Sequence, residues 1–149
     1  MKIYLGSDHQ GFYAKAKIED FLMKNNYLVD DIGDNKLDPN DDYPIFAQRV
    51  VNNLLSSDDS DPRGILLCGS GQGMVIAANR FKGIRACLGW DIKSVKDSRN
   101  DEDSNVLCLP AQVLNTQESL DIISQWLETP FSKAPRHIRR IRELDEMSL

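Results

Sequence analysis

Five short apolar runs, Lys2–Gly6, Tyr27–Ile32, Gly64–Cys68, Ile84–Gly89 and Asn105–Leu109, recur along the chain, with helical periodicity between them. Their length and their β-branched and aliphatic content read as buried strands. The intervening segments place apolar residues one helical turn apart: Phe12, Ile18, Phe21 and Leu22, then Phe46, Val50, Val51, Leu54 and Leu55, then Met74 to Phe81, then Ile92 to Arg99. Alternation of this kind, with short connections and right-handed crossovers, predicts a three-layer α/β sandwich: a five-stranded parallel sheet with helices on both faces. In such sheets ligands bind beyond the carboxyl ends of the strands.

After the last run, Thr116–Leu127 reads as a helix opened by a capping box at Thr116, with Leu120, Ile123, Trp126 and Leu127 on one face. Thr129 and Pro130 break the chain before a basic C-terminal helix, Ser132–Met147, carrying Lys133, Arg136, His137, Arg139, Arg140 and Arg142. No repeat or linker divides the 149 residues, so residues 1–149 are expected to form one domain. The net charge of −5 argues against nucleic acid and anionic membrane as partners, and any anion site must be local. The N-terminal apolar run stops after five residues and no later segment matches a membrane span, which predicts a cytoplasmic protein. The three cysteines, Cys68, Cys87 and Cys108, fit neither a disulfide framework nor a zinc site. Cys87 and Cys108 read as small buried hydrophobes.

Two strand ends carry chemistry. The first strand runs into Gly6-Ser7-Asp8-His9-Gln10-Gly11, which sets a carboxylate and an imidazole at a carboxyl edge. Either Asp8 or Ser7 caps the following helix and His9 is solvated, or the pair belongs to a site. The third strand ends in Cys68 and passes through Gly69-Ser70-Gly71-Gln72-Gly73 into a helix. Glycines at alternate positions let successive amides turn toward one anion, and a thiol just before such a nest is favoured as thiolate. The spacing matches neither the dinucleotide nor the nucleoside-triphosphate loop, so the anion is smaller. Cys68 is then a base or nucleophile, against the alternative of an inert buried thiol. On the terminal helix, Arg136 and Arg140 lie one turn apart, as a phosphate clamp or as a solvated basic face. Asp38-Pro39-Asn40-Asp41-Asp42 fails the calcium-loop pattern at the glycine and glutamate positions and reads as an acidic surface loop.

Taken together, GSDHQG, the Asp42-Tyr43-Pro44 triplet, GILLCGSGQGM, Ala77-Ala78-Asn79, Gly83-Ile84-Arg85-Ala86 and the closing RHIRRI resemble the type B ribose-5-phosphate isomerases and the related galactose-6-phosphate isomerase subunits. The likeness spans almost the whole chain. It implies a Rossmann-like homodimer or tetramer, with sites at the subunit interface, that isomerises a phosphorylated sugar through an enediolate without metal or organic cofactor. By position it implies Cys68 as the proton shuttle, with Gly69, Gly71, Gln72 and Gly73 forming the loop that holds the enediolate oxygen. Ser70 falls on a substrate-contacting hydroxyl, Asp8 and His9 on the sugar and phosphate contacts, Tyr43 on a lining residue, and Arg136, His137 and Arg140 on the phosphate-binding tail. Where some relatives carry a glutamate base after the loop, this chain has Met74, which cannot take a proton.

The chain also departs from that pattern. Asp101 stands where the ribose-phosphate enzymes place a ring-opening histidine, Glu102 replaces the adjacent asparagine, and Gln112 replaces an arginine near the phosphate. Only two histidines exist, His9 and His137, so none is spare. Three readings follow: a different pentose, hexose or acyclic tetrose phosphate as substrate; Asp101 serving as the acid, kept protonated by Glu102 and Asp103; or lost activity. A non-catalytic phosphosugar-binding module and a flavodoxin-like redox protein are the rivals from other classes.

Overall fold

The computed structural model, described for residues 1–147, follows the expected alternation. Strands β1 (Lys2–Ser7), β2 (Leu28–Asp31), β3 (Arg63–Cys68), β4 (Ala86–Leu88) and β5 (Val106–Pro110) form one parallel sheet in the order β2-β1-β3-β5-β4. Helices α1 (Phe12–Lys24), α2 (Tyr43–Leu55), α3 (Gln72–Ala78) and α4 (Ile92–Glu102) alternate with the strands, and α5 (Thr116–Glu128) and α6 (Pro135–Glu146) close the chain. The Rossmann-like expectation is borne out.

Successive strand residues point to opposite faces, which divides the apolar residues into two cores. Ile3, Leu5, Ile65, Leu67, Leu107 and Leu109 pack under α1, α4 and α5 with Ile18, Val95, Ile123 and Trp126. Tyr4, Leu66, Cys68, Val106 and Cys108 pack under α2 and α3 with Phe46, Val50, Met74 and Ala78. Cys108 is fully buried and burial pushes the thiols of Cys87 and Cys108 up, in keeping with their expected role as small hydrophobes.

From β1 the chain crosses to β2 on one side of the sheet, and from β3 it crosses toward β4 on the other. The loops leaving β1 and β3 therefore diverge, and a crevice opens between their carboxyl ends.

Three local details differ from expectation. Asn115, one residue before Thr116, is the N-cap of α5, and its side chain and that of Glu118 bond reciprocally to each other's backbone amides. Helix α3 begins two residues early, at Gln72, and stops at Ala78. Strand β4 keeps only Ala86–Leu88: Gly83 just before it turns the backbone through a positive φ of 82°, and the Arg85 side chain caps the end of α4 on the Glu102 carbonyl. Helix α6 packs against α4 but buries just one of its twelve residues, His137, and leaves Ile138 and Leu144 exposed. Among the described residues no helix is long and apolar enough to cross a membrane.

Candidate active site

The pairing of β1 with β3 brings the first two predicted elements together. Ser7 is in register with Leu67, and the Asp8 amide donates to the Leu67 carbonyl at 3.2 Å, which sets Asp8 beside Cys68. Asp8 is buried, and its Oδ1 accepts from the amides of Gln10 (2.9 Å) and Gly11 (3.3 Å) at the start of a 3-10 turn over His9–Gly11. Burial raises its carboxyl above the ordinary range, against the pull of those two amides and of His9. The cap reading of Asp8 is thus correct, and the cap also holds the carboxyl at the crevice. His9 is not simply solvated: its Nδ1 donates to Asp41 Oδ1 at 2.6 Å.

Cys68 ends β3 with 5% of its surface exposed. The Gly71 amide donates to its Sγ at 3.1 Å. Gly71 is at φ 74°, and a Cβ there would sit 2.5 Å from Leu88 Cδ1, so the loop requires glycine at this position. Helix α3 starts at Gly71 without a side-chain cap. The amides of Gly73 and Met74, in its first turn, have no helical acceptor and are available to an oxyanion. With seven residues α3 supplies little macrodipole, so the donors are the amides themselves. Ser70 is exposed beside them, its Oγ accepting from the Gln72 amide at 3.4 Å. The Tyr43 ring lies over the helix start, and any Cβ on Gly73 would fall 2.7 Å from its Cζ. Glycine at 73 lets the aromatic wall close on the loop. The amides of Ala111 and Gln112 donate to the carbonyls of Cys68 (2.9 Å) and Gly69 (3.0 Å), tying the end of β5 to the same loop.

The remaining predicted residues form a second cluster. Helix α4 runs away from the carboxyl edge, so Asp101 near its end lies about 16 Å from that edge, the length of an eleven-residue helix. Helix α5 makes the same return and delivers α6 to this opposite end, where Ser132 N–H donates to the Asn100 carbonyl at 3.0 Å. His137 Nδ1 is 3.7 Å from Asp101 Oδ1 and 2.7 Å from Ser132 Oγ, and His137 Nε2 accepts from Arg136 Nε at 3.1 Å. His137 is therefore buried, with a hydrogen-bond partner on each ring nitrogen. On the helix it points inward to α4 while Arg136 and Arg140 remain exposed. Asp103 differs from expectation: Arg99 Nη1 (2.8 Å) and Arg85 Nη2 (3.3 Å) bind its two oxygens, so it is not an unpaired charge beside Asp101.

Asp8, His9 and Asp41 bring ligand-type atoms within 4.8 Å of one another, but hydrogen bonds already join His9 to Asp41 and Asp8 to two amides. Sequence reading missed Asp41, which it treated as loop surface; only its distance in sequence from His9, not its residue type, hid the contact.

Cap and site roles of Asp8 separate by substitution. Asp8→Asn keeps an acceptor for both amides and removes a buried charge whose cost grows as pH rises above the ordinary carboxylate range, so at neutral pH its urea stability should equal or exceed that of the unmodified chain. Asp8→Ala should lose about 1 kcal/mol. Both should lose activity at least about tenfold if the carboxylate touches substrate, each transition-state hydrogen bond to a charged group being worth that much; an active Asn variant would leave Asp8 as a cap alone.

The sequence profile of the Ribose/Galactose Isomerase family matches residues 3–144. A ribose-5-phosphate isomerase B of Mycolicibacterium paratuberculosis is 37% identical over 146 residues, covering 98% of this chain and 91% of the relative. The crystal structure of a ribose 5-phosphate isomerase of Thermotoga maritima superposes with a TM-score of 0.92 at 40% identity, over 98% of both chains. Ribose-5-phosphate isomerase B of Mycoplasma genitalium with bound ribulose-5-phosphate superposes at 0.90 with 36% identity, over 97% of this chain and 93% of that one. With the fold, the motifs and near-complete coverage in agreement, the chain belongs to the ribose/galactose isomerase family.

Proposed function

We propose that this chain interconverts ribose 5-phosphate and ribulose 5-phosphate through an enediolate, with Cys68 as the base. The observation that carries this reading is the placement of a buried thiol against the Gly71 amide, at the start of an uncapped helix and beside Asp8. The bound ribulose-5-phosphate of the Mycoplasma genitalium relative supports the choice of sugar. Cys68 takes the proton from C2 of the open-chain aldose, the C–H electrons form the C1–C2 double bond, and O1 becomes the oxyanion held by the loop amides. Transfer of the O2 proton to O1 and return of the thiol proton to C1 give the ketose. Asp8 and His9 face the sugar and phosphate, and Tyr43 and Ser70 line the crevice. Residues 1–149 act as one domain, and because phosphorylated sugars do not cross membranes, the enzyme works in the cytoplasm where they are made.

The site is shared between two copies. Of the proposed ligand contacts, the Cys68 end contributes one basic side chain, His9, whereas Arg136 and Arg140 sit at the other end of the same subunit. A two-fold dimer places the tail of one copy at the crevice of the other, twice. Two further features favour it: α6 leaves Ile138 and Leu144 uncovered, and Ile76, Trp90 and Ile92 are exposed around α3 and the β4 edge. Strand pairing is blocked on that edge, since the Asn79 carboxamide bonds both the N–H and the C=O of Ala86 at 2.9 Å. A partner meets it through side chains. Asp101, backed by His137, then reaches the substrate from the partner subunit and handles the ring oxygen.

Cys68→Ala should lose activity on ribose 5-phosphate by orders of magnitude while still binding it, and Arg136→Ala should raise KM. Refolding the two variants together should restore up to about a quarter of the original activity, because half the dimers are mixed and each holds one intact site. No recovery would rule out the shared site. Asp101→Asn should slow the cyclic aldose and spare the acyclic ketose in the reverse direction; equal losses in both directions would remove Asp101 from ring opening.

A further inference from the structure

The acidic loop before α2 holds a side chain with a specific partner. Asp41 Oδ1 accepts two hydrogen bonds from one residue, the main-chain N–H of His9 at 3.0 Å and its ring Nδ1 at 2.6 Å. The Asp41 side chain is only 10% exposed. A carboxylate can only accept, so Nδ1 carries the hydrogen and Nε2 offers its lone pair. The lone pair is used: Gln10 Nε2 donates to His9 Nε2 at 2.9 Å, and Gln112 Nε2 donates to Gln10 Oε1. Gln112 Oε1 in turn lies over Gly69, 3.1 Å from where a Cβ there would stand. Donors and acceptors thus run one way, Gln112 to Gln10 to His9 to Asp41, across the mouth of the loop that follows Cys68.

We propose that Asp41 is a positioning residue for the phosphosugar site: it fixes the tautomer and ring plane of His9, and so directs Nε2 toward Gln10, Gln112 and the incoming phosphate. This deepens the functional reading above and rests on it for the identity of the ligand. The His9 ring is 27% exposed, so without Asp41 nothing holds Nδ1 and the ring turns freely. The Asp41 hydrogen bond first, then the charges of Asp41, Asp8 and Asp38, raise the imidazole's pKa above the ordinary histidine value against the opposing effect of burial. Its positive charge therefore persists to higher pH than a free imidazole's, and its hold on a phosphate dianion is lost as pH rises through that raised value. When Nε2 takes up its proton it can no longer accept from Gln10, so the Gln10 amide turns its oxygen in or yields to a phosphate oxygen.

The test compares Asp41→Ala, which leaves Nδ1 without its acceptor, with Asp38→Asn, which removes a charge from the same loop and leaves that hydrogen bond in place. Long-range proton–nitrogen NMR reports the imidazole tautomers directly, and with two histidines in the chain a His9→Asn sample assigns the signals. In the unmodified chain and in Asp38→Asn, His9 should be the Nδ1–H tautomer when neutral. In Asp41→Ala it should become a tautomer mixture that titrates lower, and KM for ribose 5-phosphate should rise about tenfold with kcat within about twofold. A tautomer in Asp41→Ala matching that in Asp38→Asn, or a loss confined to kcat, overturns the proposal. The NMR arm needs no turnover: a chain inert toward ribose 5-phosphate but with an Asp41-dependent tautomer retires the functional reading and keeps the positioning role.

Discussion

The hydrogen-bonded pairing of β1 with β3 is the constraint on which the Cys68 end depends. It places Asp8, the residue after β1, beside Cys68, the last residue of β3, and the sheet order sends their onward helices to opposite faces. A crevice with a carboxylate on one wall and a thiol on the other is therefore a result of topology, and no single loop could produce it. The loop after Cys68 then refines the geometry. Gly71 at positive φ returns its amide to the sulfur, and the adjoining helix start supplies further donors without a competing cap. A carbon acid as weak as a sugar C2–H needs that arrangement, a base whose charge is favoured and an oxyanion whose solvation is prepaid.

The same parallel geometry underlies the proposed sharing of the site between two copies. Because α4 and α5 both run back along the sheet, everything near their ends is delivered to the edge opposite Cys68. The arginines of α6 and Asp101 share that edge through the contacts of His137 with Asp101, Ser132 and Arg136. An exposed amphipathic helix with one buried residue is incomplete in a lone subunit, and its cations match the phosphate end of the proposed ligand. In the proposed dimer, phosphate recognition would draw on both subunits and proton transfer on one.

Much of this was legible in the sequence, for physical reasons. Five strands were readable because apolar runs and helical periodicity are local, and the Cys68 loop because alternating glycines are a backbone requirement. The cap of α5 was misplaced by one residue because Asn115 and Thr116 offer the same kind of oxygen and only backbone geometry chooses between them. Spacing alone does not say which face of α6 meets α4, so the inward turn of His137 beside exposed Arg136 and Arg140 is not legible in the sequence. Asp41 escaped notice because its partner is 32 residues away and loop conformation, which has no periodicity, makes the contact. The separation of the predicted site residues into two ends required strand order, which no local pattern encodes.

The central claim is that Cys68 carries a proton between adjacent carbons of a phosphorylated sugar. Incubating ribose 5-phosphate with the protein in deuterated water and following carbon-bound hydrogen by NMR tests it most directly. The account predicts enzyme-dependent deuterium at C1 of the ketose and C2 of the aldose, abolished in Cys68→Ala. Isomerisation that continues with full exchange in Cys68→Ala, or binding of the sugar with no exchange in the unmodified chain, would contradict it.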